Sequence, residues 1–127
     1  MRDLLVSILA VALLIGSWLI FFSYSESSID YFSGTIEDTV IPLVEDGEWT
    51  NSYDEISRLN SGWNTYRKYA LLFLDTEAIN EIDCLMAKSI KYIKARDVSN
   101  ASGELLVMCE QLKFLNYNEK ITISNIL

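Results

Sequence analysis

Residues Leu4–Phe22 read LLVSILAVALLIGSWLIFF, with Ser7 and Ser17 as the only polar side chains. As a helix these nineteen residues reach about 28 Å, close to the hydrocarbon thickness of a bilayer. The spacing predicts one transmembrane helix, and everything else in the chain must be arranged around it. A cleaved secretory signal is the first rival. Ser23-Tyr24-Ser25 would serve as a cleavage site, but the apolar run is too long and Arg2 is offset by Asp3. A buried core helix is the second rival, and 127 residues do not easily surround so apolar a rod.

Orientation follows from basic residues near the ends of the span. Arg2 precedes it, and the next basic residue is Arg58. The bias predicts a cytoplasmic N-terminus, with residues 1–24 as the anchor and residues 25–127 as an extracytoplasmic domain of the cell membrane. Trp18, Phe21, Phe22 and Tyr24 gather at the exit, where aromatic rings favour the lipid interface. Ala12 and Gly16 form a small-xxx-small pair, a candidate packing face for a second copy of the helix.

The net charge of −8 disfavours nucleic acid as a partner. That charge is uneven. From Glu26 to Glu55 there are nine acidic residues and no basic ones. Such a run is either a solvated face or a docking surface, and Glu37, Asp38, Glu45, Asp46 and Glu48 are its candidate partner contacts. The chain has no histidine, which removes the commonest general base and zinc ligand. No Gly-rich phosphate loop, Cys-x-x-Cys pair or EF-hand spacing occurs. No catalytic, cofactor or metal residues are therefore assigned, and an enzyme is not expected.

Beyond the span the periodicity is helical throughout. Ile29, Phe32, Ile36, Val40 and Leu43 continue the first helix until Pro42 kinks or ends it. A second helix is predicted over Glu48–Leu74, with the stripe Trp49, Tyr53, Ile56, Leu59, Trp63, Tyr66, Ala70 and Phe73. Gly62 inside it implies a close neighbour, because glycine costs about 1 kcal/mol there. Asp75-Thr76 caps a third helix, Glu77–Arg96, buried through Ile79, Ile82, Met86, Ile90 and Ile93. Asp97 or Ser99 caps a fourth, reaching about Asn118 with the stripe Ala101, Leu105, Met108, Leu112 and Leu115; Val107 and Phe114 suggest a second buried flank. Lys120–Leu127 is expected to be an extended tail.

The starts at Asp46-Gly47-Glu48-Trp49 and Arg96-Asp97-Val98 are followed by matching apolar residues, at an offset of about 49. The expected fold is all-α: a transmembrane helix continuing into an antiparallel four-helix bundle of two helical hairpins. Cys84 lies opposite the buried stripe of its helix and Cys109 lies on a flank, so an intrachain bridge is disfavoured. An exposed Cys84 is left free or available to link two chains.

Several short motifs carry a resemblance: the anchor, Gly47-Glu48-Trp49, Trp63, Leu72-Phe73-Leu74-Asp75 followed by Glu77, and Ile123-Ser124-Asn125-Ile126-Leu127. With them the chain resembles a domain-of-unknown-function family of small membrane-anchored proteins from Gram-positive, largely spore-forming bacteria. The resemblance implies a helical extracytoplasmic domain with no established activity. Through gene neighbourhood it also implies a complex with another membrane protein. Members often carry a histidine where this chain has Thr76. The function expected is a non-catalytic interaction or accessory subunit, held in the bilayer through Leu4–Phe22, with a homodimer as a further option. The alternative is a sensory or ligand-binding module with a cavity among Trp49, Tyr53, Trp63 and Tyr66.

Overall fold

The computed structural model describes residues 1–126, except for the side chains of residues 122, 123 and 126. The described residues are helical throughout, with short turns and no strand. Four helices follow one another: α1 over Arg2–Glu45, α2 over Trp49–Ala70, α3 over Thr76–Lys94 and α4 over Val98–Ile126.

The first helix is long and apolar enough to cross a membrane, and only 6% of its most apolar window is buried by the rest of the chain. Burial begins at Phe21 and Phe22 and continues through Ser25, Ile29, Phe32 and Ile36. No break separates the exposed half from the packed half. Pro42 does not end the helix. Residues Ile36–Val40 widen into a π turn, with the amide of Ile41 bonded back to the carbonyl of Ile36. The wider turn makes room for the proline ring, which would otherwise strike a carbonyl one turn back, and the chain stays helical to Glu45.

The predicted stripes form the core. Ile56, Leu59, Trp63, Tyr66 and Ala70 of α2 are buried, as are Ile79, Ile82, Met86 and Ile93 of α3 and Ala101, Leu105, Met108, Leu112 and Leu115 of α4. Gly62 has the expected neighbour: a Cβ there would stand 3.2 Å from Cε1 of Phe32. That ring meets Trp63 at 5.9 Å and Tyr66 at 5.7 Å, both edge-to-face.

Four expectations need correction. The tail is not extended; α4 continues through it to Ile126, because it lies against α1, with Lys120 bonded to Glu26. Leu127 lies outside the described residues. Val107 and Phe114 are exposed, and the second flank of α4 is formed instead by Cys109 and Asn116. Tyr53 is exposed, and Ser52 takes the buried position beside it. Residues 71–74 leave the helical path as a turn; Asp75 then caps α3 by accepting from the amide of Glu77 at 3.1 Å.

The two similar helix starts share one physical cause. Glu48 and Gly47 donate their amides to Leu43 and Val44, and Asp97 and Arg96 donate theirs to Tyr92 and Ile93. Both are Schellman endings, which place one residue in the left-handed region. Gly47 has φ 76° and Arg96 has φ 55°. Gly47→Ala is expected to destabilise the packed region by about 1 kcal/mol. Arg96→Gly should shift thermal unfolding the other way, by about 0.5 kcal/mol. Circular dichroism melts of the two variants check the pair.

Candidate functional site

Polar side chains meet inside the packed region one turn beyond Phe22. Ser25 of α1 is fully buried, Tyr66 of α2 is fully buried and Glu119 of α4 is only 4% exposed. The Ser25 hydroxyl donates to Oε1 of Glu119 at 2.7 Å. It lies 2.5 Å from the Tyr66 hydroxyl, which therefore donates to Ser25. While Glu119 is ionised, the result is a relay from Tyr66 through Ser25 to Glu119. Among the described residues, the second carboxyl oxygen, Oε2, is buried without a hydrogen-bond partner.

Burial dominates the chemistry of this acid. It lifts the Glu119 carboxyl to about 7; the Ser25 bond opposes the shift and nearby Glu26 adds to it. Burial likewise pushes the Tyr66 phenol well above its ordinary range, opposed by its hydrogen bond with Ser25, with Glu119 adding to the rise. Below neutrality Glu119 is therefore a neutral acid, since an unpaired buried carboxylate is far more expensive than a buried carboxylic acid.

The relay belongs to a polar seam along α1 and α4. Lys120 pairs with Glu26 at 3.1 Å, Asn116 donates to Asp30 at 3.1 Å and Lys113 pairs with Glu37 at 3.0 Å. Cys109 is buried beside the carbonyl of Ser33, and desolvation raises its thiol. Part of the acidic run is thus occupied internally, by α4. Of the five candidate contact residues, Glu37 is engaged in this seam. Asp38, Glu45, Asp46 and Glu48 are exposed, and Asn51 makes a long 3.4 Å contact with Glu48.

Two crevices flank Phe22, and Glu119 lines both. One, of about 420 Å³, lies between Trp18, Phe73 and Phe114, with Glu77 and Glu81 at its rim. The other, of about 230 Å³, lies between Leu19, Ser23 and Lys120. A wider groove between α2 and α3 is crossed by Asp83, which accepts from Trp63 at 2.6 Å and pairs with Arg67 at 2.8 Å. That pair ties the two helices together.

Trp49, Tyr53, Trp63 and Tyr66 do not line a common cavity. Trp63 and Tyr66 are packed core with ring centroids 5.4 Å apart. Trp49 and Tyr53 flank a separate recess near Lys94, which lies 5.7 Å from the Tyr53 ring. Cys84 is exposed and Cys109 buried, both free thiols. Among the described residues no three potential ligands converge to hold a metal. Ala12 is exposed, and a Cβ on Gly16 would meet nothing within 4 Å.

Residues 20–126 match a family described as Domain of unknown function (DUF4363). The chain belongs to that family. No curated protein and no solved structure matches it. The match begins at Ile20, so it takes in the whole relay and the last turn of the apolar segment, and leaves out most of that segment.

The sign of the Glu119 effect on stability follows from its raised folded-state value. The contribution is full below the unfolded value of 4.5 and falls away as pH rises to about 7. At about 1.4 kcal/mol per unit, the loss is at most about 3.5 kcal/mol. Denaturant unfolding followed between those limits should show the decline, and Glu119→Gln should abolish it and be the more stable protein above neutrality.

Proposed function

We propose that this protein is a single-pass bacterial membrane protein with a cytoplasmic N-terminus. Residues 25–127 form an antiparallel four-helix bundle of two hairpins outside the cell. The bundle is a non-catalytic accessory subunit that contacts another membrane protein. One observation carries the reading: the apolar half of α1 is left exposed by the chain and passes, without a break, into a helix that is core on the other side of Phe22. A stiff rod of this kind fixes the height and direction of the domain above the bilayer, which suits a subunit that must meet a neighbour at a set place.

The contact face is assigned to Asp38, Glu45, Asp46 and Glu48, the exposed members of the acidic run. Three of them gather where α1 turns into α2, at the end of the domain farthest from the apolar segment. Rim charges of this sort steer a basic partner and set association rate more than affinity. Ala12 and Gly16 are free to pack against a second transmembrane helix.

A second reading, a ligand-sensing module, has one observation in its favour: the crevice beside Glu119. Native mass spectrometry of the protein released in mild detergent separates the two, since a sensor carries a small-molecule adduct and an accessory subunit carries a protein partner.

Cys84 supplies the test of orientation. A membrane-impermeant maleimide should label it in intact cells, and Cys84→Ser should remove the label, because Cys109 is buried. Labelling only after lysis would reverse the topology. Crosslinking in native membranes should return a heteromeric band that weakens when Glu45, Asp46 and Glu48 are changed together to lysine.

A further inference from the structure

The turn between α2 and α3 is unusually apolar for an exposed turn. Leu72 is 76% exposed, and its neighbours Leu71 and Phe73 are also exposed. The run Tyr69–Leu74 holds no charge. Its height relative to α1 is set by Phe73, whose ring stacks on Phe21 at 4.4 Å with the planes 14° apart. The turn therefore lies level with the last turn of the apolar segment.

Two further exposed rings extend it into a collar: Tyr69 meets Tyr24 edge-to-face at 6.3 Å. The last turns of α4 continue past Glu119 to Ile126, about 10 Å, on the side where Lys120 and Leu19 border one crevice. Lys68 precedes the turn and Lys120 flanks the collar, both exposed. Aromatic rings with apolar side chains below and ammonium groups above match the layering of a lipid headgroup region. An apolar patch of this kind on a soluble face would be an aggregation hazard.

We propose that the Leu71–Phe73 turn is a second lipid contact, which seats the domain on the leaflet through which α1 leaves. The occupant is the interfacial layer of a phospholipid bilayer. The inference rests on reading Leu4–Phe22 as a span, and it adds that the domain does not stand clear of the membrane. Contact at the turn, together with the span, restrains rotation of the domain about the α1 axis. It also holds the acidic face of residues 45–48 away from the lipid.

The test uses the full chain with Cys84→Ser, reconstituted in phosphatidylcholine nanodiscs. One further cysteine, at Leu72, Ile20 or Ser99, carries an environment-sensitive fluorophore. All three positions are exposed, so the label does not enter the core. Shallow doxyl lipids should quench the Leu72 and Ile20 probes similarly, and about fivefold more than the Ser99 probe at the far end. A quenched Ile20 probe with Leu72 no more quenched than Ser99 would overturn the lipid contact while leaving the span intact; the turn would then face water or a protein partner. An unquenched Ile20 probe would overturn the span and the contact together.

Discussion

The structure depends on one constraint: α1 has to satisfy two environments along a single uninterrupted helix. From Leu4 to Ile20 its side chains are mostly exposed and, apart from Ser7 and Ser17, apolar, and from Phe21 onward the same helix supplies the centre of a core. An α-helix has no internal hinge unless a proline, a glycine pair or an inserted group provides one. The π turn at Ile36–Val40 and Pro42 come after the junction, so the rigid portion includes it. Whatever holds the apolar half thereby orients the rest. On the proposed reading that holder is the bilayer, and the other three helices are arranged around the half of α1 that leaves it.

The junction itself is made by rings and one buried acid. Phe21, Tyr66 and Phe73 stack where α2 ends, and Ser25, Tyr66 and Glu119 link α1, α2 and α4 through two short hydrogen bonds. A fully apolar junction would have been simpler to stabilise. The acid brings directionality, because only one helix register satisfies Ser25 from both sides. It also couples the joint to pH, since ionising Glu119 puts a charge where one oxygen has no partner among the described residues. The seam farther along, from Asp30–Asn116 to Glu37–Lys113, consists of more exposed pairs that contribute less each.

Much of this was legible in the residues. The apolar run announced a helix long and apolar enough to cross a membrane, the three- and four-residue steps announced the helices, and Gly62 announced its close neighbour. The stripe of α4 was read as Leu105, Met108, Leu112 and Leu115. Glu119 follows four residues later in the same register, so the signal for a buried acid was present, but the helix was expected to end at about Asn118. Ser25 likewise precedes Ile29 by one helical turn. What periodicity could not supply was the pairing between distant segments. Glu26, Asp30 and Glu37 looked like part of a solvated acidic face because their partners, Lys120, Asn116 and Lys113, lie more than seventy residues away. The two turns at Gly47 and Arg96 were recognisable as similar, but the left-handed backbone at Arg96 was not, since arginine gives no such cue.

Hydrogen exchange of the backbone amides, measured on the full chain in lipid nanodiscs, bears most directly on this account. An unbroken α1 locked at its junction predicts that amides from Phe22 to Ser33 exchange as slowly as those of Ile56–Tyr66 in the core, with no gap where the apolar segment ends. Rapid exchange over Ser23–Ser28, with protection on both sides, would mean that a flexible linker joins the apolar segment to an independently moving domain, and the central claim would be wrong.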